Sequence, residues 1–295
     1  MHSALAHPSI SGTTDVYLIV GDPVAQVQAP ALFNAVFART GINAVLVPTH
    51  VAPQHLTALV KGAFGAANIK GLWAAIPHKT ALVHLLDACS PMGRAAGAVN
   101  AVRRNSDGRL EGALFDGEGL VGALNHFGMS YQQQRVLILG AGGGASAIAA
   151  SLACTTPGAA AHVALYDPLP GKADAVARHI GRHSQAEVVA TPTNDPVGYD
   201  LVINASPLGL QAGDAQPCDV QRLEPHASVM DIVMKNQPTP WVRAARGRGL
   251  NAQPGFEMLV QQAPLYLDFF GYTEAADLVR RDTQFLRAQI DPTLF

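Results

Sequence analysis

The sequence predicts an α/β protein, with an N-terminal α/β unit followed by a doubly wound sheet of the kind that binds dinucleotides. Three observations carry this. The 295 residues suit two domains, each long enough to bury its own core. Apolar runs of strand length alternate with amphipathic helical spacings along both halves of the chain. A glycine-rich turn, Gly140-Ala141-Gly142-Gly143-Gly144-Ala145, directly follows one apolar run and opens a small-residue helix.

Taken in order, residues 1–14 are small and polar and read as a loose tail. Residues 16–20 form an apolar run that stops at Gly21-Asp22-Pro23, a strand and its turn. After Pro30, Leu32, Phe33, Val36 and Phe37 recur at helical spacing and close at Gly41. A strand at 44–47 and a helix carried by Leu56, Leu59, Val60, Ala63 and Phe64 come next. The run 71–76 has the character of a buried strand. Pro77 cannot donate to a ladder, so the sheet should end where His78 and Lys79 begin, with a helix over 80–86. Runs 99–102 and 110–114 flank Asn105-Ser106-Asp107-Gly108, which predicts a hairpin. Asp116-Gly117 precedes a helix through Leu120 and Leu124, and Gln132-Gln133-Gln134 reads as a linker. Beyond it we expect strands at 136–139, 162–166, 187–190, 201–204 and 229–233. Helices are expected at 144–152, 172–179 and 240–248, then two closing helices at 256–270 and 274–290. This alternation argues for parallel sheets covered on both faces.

Composition narrows the function classes. Hydrophobic residues make up 48% and charged residues 14%, a globular balance, and the formal net charge of −2 offers no basic field for nucleic acid or anionic lipid. Small molecules, or a second copy of the chain as a homodimer, are the partners left open. Cys89, Cys154 and Cys218 are odd in number and widely spaced, with neither a disulfide framework nor a zinc spacing, which suits a reducing cytoplasm. No run of ~18 apolar residues and no basic-then-apolar leader stands in the sequence, so we expect neither membrane span nor signal peptide. His179 and His183 are four apart, but no Glu follows the first and Gly181 lies between them. A solvated helix end is the better reading, and no metal site is expected.

In the glycine-rich turn Gly140 permits the tight bend, Gly142 lets a pyrophosphate approach the backbone, and Ala145 keeps the helix close to the sheet. Gly143 leads into the helix expected from Gly144, whose unpaired N–H groups and dipole favour phosphate. The next strand ends at Tyr166-Asp167-Pro168-Leu169-Pro170. Asp167 stands where an adenosine ribose should lie, and its carboxylate can accept from both ribose hydroxyls while repelling a 2′-phosphate. On that ground NAD is expected over NADP. No arginine follows, and Lys172 is the cation at hand; the alternative for Asp167 is a turn residue before Pro168.

A dehydrogenase of this kind needs a group that takes a proton as hydride leaves. Lys79, at the end of the 71–76 run, and Asp116 are the candidates. Taken alone, Lys79 reads first as a solvated residue at the start of a helix, and Asp116 equally as a helix N-cap or a catalyst.

The chain resembles the shikimate and quinate dehydrogenase family over about residues 16–271. The matching stretches are Gly21-Asp22-Pro23-Val24-Ala25 with Pro30, Ile76-Pro77-His78-Lys79, Gly97-Ala98-Val99-Asn100, Asp116-Gly117-Glu118-Gly119 and the turn ending at Ala145. Asn204-Ala205-Ser206-Pro207-Leu208-Gly209, Asp231 with Thr239-Pro240, and Gly255 with Met258-Leu259-Val260-Gln261-Gln262-Ala263 complete them. The resemblance implies a substrate-binding and catalytic domain over 1–120, to which helices from 256–290 return, and a Rossmann-type NAD-binding domain over 121–255. It also implies that Lys79 and Asp116 are the catalytic pair and that Asn100 and Gln262 reach substrate hydroxyls. Asn204, Ser206 and Gly255 would border the cofactor.

The departures bear on substrate. The family reads His-Ser-x-Ser-Pro in its first loop, where two serine hydroxyls hold the substrate carboxylate; here it is Gln26-Val27-Gln28-Ala29-Pro30. The family's Asn-Val-Thr is replaced by Trp73-Ala74-Ala75, its Asn-Thr before the aspartate by Leu114-Phe115, and a tyrosine by Met234. Losing two hydrogen bonds to a carboxylate costs about 3–6 kcal/mol, roughly a hundred- to ten-thousand-fold in affinity. We therefore expect a narrower, more apolar pocket with Val27, Ala29, Trp73, Ala75 and Phe115 at substrate positions, the alternative for Trp73 or Phe115 being a place in the core. Hydride transfer to or from a small cyclic compound other than conventionally held shikimate is the first reading. Shikimate or quinate anchored by Gln26 or Gln28 is the second, and a non-catalytic ligand sensor the third.

Overall fold

A computed structural model describes residues 10–155, 158–184, 186–211, 213–234 and 237–290. The tail expected over 1–14 therefore lies, for residues 1–9, outside the described residues. The chain runs β1 (Asp15–Gly21), α1 (Ala29–Thr40), β2 (Ala44–His50), α2 (Leu56–Ala63), β3 (Ile69–Ala74), α3 (Lys79–Leu82), β4 (Ala88–Cys89), α4 (Pro91–Ala96), β5 (Ala101–Arg104) and β6 (Leu110–Ala113). It continues with α5 (Asp116–His126), β7 (Arg135–Leu139), α6 (Gly143–Cys154), β8 (His162–Tyr166), α7 (Lys172–Gly181), β9 (Glu187–Ala190), β10 (Leu201–Asn204) and β11 (Ser228–Asp231). Then come α8 (Pro240–Gly247), β12 (Ala252–Pro254), α9 (Phe256–Phe269), α10 (Thr273–Arg281) and α11 (Thr283–Ile290). The described residues form two compact units, one within Met1–Ser90, Val99–Ala113 and Ala263–Phe295, the other within Pro91–Ala98 and Leu114–Gln262.

The first unit holds a sheet of order β2-β1-β3-β5-β6-β4. Strands β2, β1 and β3 are parallel, as the alternation predicts, but β5 pairs antiparallel with β3 and with β6. Only the antiparallel pairing of β5 with β3 departs from the parallel alternation, since the β5–β6 pair is the hairpin expected from Asp107-Gly108. Asn105 sets that turn: its Oδ1 accepts the Asp107 and Arg109 N–H groups, and Gly108 takes φ 79°. Helix α1 opens with Pro30 near its start and closes on Gly41 at φ 70°, whose N–H donates to the Phe37 carbonyl. Under this sheet lies an aromatic cluster. The Trp73 ring is stacked on Phe270 (4.3 Å) and Tyr266 (5.1 Å) and meets Tyr17 and Phe33 edge-on. Gly71 has no side chain because Phe270 occupies its place, and a Cβ there would come 2.3 Å from the ring. Trp73 is only 2% exposed, and its Nε1–H has no partner among the described residues, a defect worth about 1–3 kcal/mol.

The second unit holds the sheet β12-β11-β10-β7-β8-β9, parallel throughout. Val136, Leu137, Ile138 and Leu139 are buried on both faces, as a central parallel strand requires. One layer is formed by α6, buried from Ala145 to Ala153, and another by a core around Trp241 on α8. Thr239 caps α8, its side chain accepting the Val242 N–H. Beyond Phe256 the expected pair of closing helices is three. Asp282 leaves helical geometry (φ −131°, ψ 68°) and its Oδ1 accepts the Phe285 N–H, ending α10 and starting α11. Strands β4 and β12 and helix α4 have no counterpart in the sequence reading.

Candidate active site

The carboxyl ends of β1 and β3 lie side by side in the first unit, tied by Ala75 N–H to the Val20 carbonyl (2.8 Å) and Asp22 N–H to the Ile76 carbonyl (2.9 Å). Strand β3 ends at Ala74, and Lys79 begins α3, half-buried. The structure brings Asn100 to the same edge. Val99 N–H donates to the Lys79 carbonyl (2.9 Å), and the Asn100 carbonyl accepts Ala74 N–H (2.8 Å) and Tyr266 Oη–H (3.2 Å). Asn100 is fully buried. His78, also buried, fixes the loop from its other side with Nε2 2.7 Å from the Val51 carbonyl. Ala75 is half-buried beside Gly21, while Val27 and Ala29 stand where β1 leads into α1. Trp73, expected at the pocket, is instead a core residue. Strand alternation turns it into the aromatic cluster, and the strand ends one residue later at Ala74.

In the second unit Asp116 is the first residue of α5 and is 4% exposed. The cap position belongs to Phe115, which makes no side-chain cap bond, so Asp116 is not the N-cap that its sequence context allowed. Helix α5 is held unusually close to its neighbours. A Cβ at Gly117 would lie 2.2 Å from Ser151 Oγ, and one at Gly119 2.6 Å from the Met258 carbonyl and 2.9 Å from Gln262 Cβ. Gln262, 3% exposed, therefore packs one turn from Asp116.

The glycine-rich turn suits a dinucleotide. Gly140 takes φ 117°, and a Cβ there would come 2.7 Å from the Ala205 carbonyl, whereas one at Gly142 would meet nothing within 4 Å. The bend is closed to side chains and the approach to the first N–H groups of α6 is open. Gly143 and Gly144 form the first turn of that helix, and Ala145 is fully buried against the sheet. Gly255 packs against β11, 2.6 Å from Ile232 Cα by the same test. The side chains of Asn204 and Ser206 are spent on their own turn. Asn204 Nδ2 donates to Leu208 O and Asp231 Oδ1 (3.0 Å each), and its Oδ1 accepts the Ser206 hydroxyl at 2.6 Å.

Asp167 is the informative member. Its Oδ2 accepts Ala141 N–H and the Lys172 ammonium, both at 2.9 Å, and its Oδ1 accepts Leu169 N–H at 3.1 Å. Burial acts to raise its pKa, but Lys172 and the two N–H groups outweigh it and hold the carboxyl below the usual range. The turn role weighed as an alternative is thus real. His179, in the last turn of α7, has Nε2 2.9 Å from the carbonyl of Arg94 in α4. Among the described residues no three His, Cys, Asp or Glu gather to hold a metal, and no helix is long and apolar enough to cross a membrane. Sequence reading passed over His78 and Tyr266 as agents in their own right, although His78 precedes Lys79 and could have been suspected on that ground. It quoted Asp231 only as a match, and the three donors that meet there are invisible in the sequence.

A glycine-rich turn on a parallel, doubly wound sheet, joined to a unit with a lysine at a strand end, defines the class of Rossmann-type oxidoreductases. The chain belongs to the shikimate dehydrogenase family. The profile of the shikimate dehydrogenase substrate binding domain matches residues 19–102. The shikimate dehydrogenase (NADP(+)) of Rubrobacter xylanophilus is 35% identical over 259 residues, covering 86% of this chain and 90% of its own. Among solved structures, a shikimate dehydrogenase in complex with NADP+ superposes with a TM-score of 0.83 at 25% identity, covering 97% of this chain and 99% of that one. The 5-ketofructose reductase of a Gluconobacter strain gives 0.76 at 27%, covering 92% and 99%.

These comparisons correct the cofactor expectation. The Rubrobacter relative and three more at 34–35% identity carry NADP(+) in their names, against the expected preference for NAD. The physical reason lies in Asp167. The argument for NAD needed a free carboxylate to meet the ribose and repel a phosphate, and this carboxylate is paired with Lys172 and already accepts two backbone N–H groups.

Proposed function

We propose that the protein uses NADP(H) to interconvert a hydroxyl and a carbonyl on a small cyclic substrate that lacks the usual carboxylate anchor. The observation that carries this is the juxtaposition of Lys79 and Asn100 at the carboxyl end of β3, held by backbone bonds through Val99 and Ala74. The bound nucleotide supplies the hydride acceptor or donor. Gly142 to Ala145 offer N–H groups to its pyrophosphate, Gly140 and Gly255 keep the backbone close, and Asn204 and Ser206 set the position of their turn. Lys172, ion-paired with Asp167, is the cation that a 2′-phosphate would share. Lys79 Nζ takes the proton from the substrate hydroxyl, or returns it to the carbonyl oxygen, with Asp116 as the carboxylate of the pair. Asn100 and Gln262 hydrogen-bond neighbouring hydroxyls and fix the ring. Val27, Ala29, Ala75 and Phe115 offer the substrate apolar surface where serine and threonine hydroxyls stand in the family pattern. The 5-ketofructose reductase supports this reading, since its name describes a sugar ketone with no carboxyl group.

A second reading, shikimate or quinate as substrate, is favoured by one observation. Gln26 is spent on the Pro23 carbonyl, but Gln28 at the start of α1 makes no side-chain cap bond and could take the carboxylate. Initial rates with NADP and NAD against shikimate, quinate and neutral cyclic polyols separate the two. We expect faster turnover with NADP and a kcat/KM for a neutral substrate at least about tenfold above that for shikimate. Shikimate as the best substrate, with loss of its turnover in Gln28→Ala, would establish the second reading.

A further inference from the structure

Trp73 stands at a position where the family pattern has a polar residue, and its ring is buried among aromatic side chains, 2% exposed. Its plane lies within 8° of the Tyr266 ring at 5.1 Å, and Phe270 stacks on the indole at 4.3 Å. Tyr266 is 4% exposed and is further fixed by Phe33, edge-on at 5.6 Å. What this clamp holds in place is a hydroxyl. Tyr266 Oη donates to the Asn100 carbonyl at 3.2 Å, which also accepts Ala74 N–H at 2.8 Å, while the Asn100 N–H donates to the Ala113 carbonyl at 2.9 Å. The peptide groups on both sides of the Asn100 Cα are thereby pinned, which limits where its buried side chain can point. The indole N–H has no partner among the described residues, a defect that phenylalanine would avoid.

We propose that Trp73 and Tyr266 are positioning residues that orient Asn100 toward the substrate. Tyr266 acts through its hydroxyl, and Trp73 through the stack that holds Tyr266. This rests on the reading of Asn100 as a substrate contact, and the two ideas fail differently. Tyr266→Phe keeps the ring and removes the hydroxyl; Trp73→Phe keeps an aromatic core and removes the orphaned donor. With shikimate and 5-ketofructose as probes and NADP(H) as cofactor, Tyr266→Phe should raise KM about tenfold with kcat changed less than about threefold. Trp73→Phe should raise it in the same sense without loss of thermal stability. In the double variant Asn100→Ala/Tyr266→Phe, KM should equal that of Asn100→Ala alone.

If Asn100→Ala leaves KM unchanged, the substrate-contact reading falls. If Asn100→Ala raises KM but Tyr266→Phe does not, or their effects multiply in the double variant, the positioning role is wrong. Where neither probe is turned over, hydrogen exchange decides. Faster exchange in Tyr266→Phe confined to the Ala74 and Asn100 amides supports the proposal, and unchanged or uniformly faster exchange overturns it.

Discussion

Asp231 shows what burial does to a single carboxyl group. It is fully buried at the end of β11, and burial pushes its pKa up to about 6 even though Thr239, Val233 and Asn204 all donate to it. A folded-state value above the unfolded one means that the fold prefers the protonated form. This contribution to stability is complete below about pH 4 and is lost as pH rises through about 6, an amount of roughly 3 kcal/mol. Denaturant unfolding of the wild type and of Asp231→Asn should show it: the wild type should lose this increment between about pH 4 and 7, and the variant should not. At Lys79 the expectation concerns rate. Lys79→Ala should lower kcat by roughly a hundred- to ten-thousand-fold while the dissociation constant for NADP(H), followed by fluorescence, stays within about threefold. Much at this scale was legible. Lys79 could be singled out because it follows an apolar strand that stops at a proline, and the glycines because they join a strand to a helix, whereas Asn100 was reached only through the family resemblance. The partners of Asp167 were not legible, because nothing in Tyr166-Asp167-Pro168 says that the carboxylate folds back onto Ala141 and Lys172.

Helix packing gives glycine opposite meanings in two elements. In α5, Gly117 faces Ser151 and the Ala147 carbonyl at distances no Cβ tolerates, so Gly117→Ala must push α5 away from α6. We expect a loss of about 1–3 kcal/mol in spite of the better helix propensity of alanine, together with lower activity as Asp116 moves. Gly62 in α2 has nothing within 4 Å of the same atom, so Gly62→Ala should be neutral or stabilise by up to about 1 kcal/mol. Paired urea melts test both. Helices with a strong apolar period, such as α1 and α2, were read correctly from sequence. The break at Asp282 escaped because apolar residues recur on both sides of it, and the deciding contact, Oδ1 to the Phe285 N–H, is a matter of geometry.

At the level of the molecule, alternation of strands and helices sufficed for the α/β class, and the glycine turn located the dinucleotide sheet. The β5–β6 hairpin was legible from its short turn, but the antiparallel pairing of β5 with β3 was not, since helices separate the two strands in sequence and only the fold sets their direction. The aromatic cluster was the least legible feature. Tyr17, Trp73, Tyr266 and Phe270 come from three distant stretches, and only the packed fold makes them neighbours. That cluster has an optical consequence. The chain has two tryptophans, Trp73 in the core of the first unit and Trp241 in the core of the second, 2% and 1% exposed. Each single Trp→Phe variant thus leaves one emitter that reports on one unit alone. Their emission maxima, followed separately through a denaturant titration, would time the melting of the two halves of the same chain without any added label.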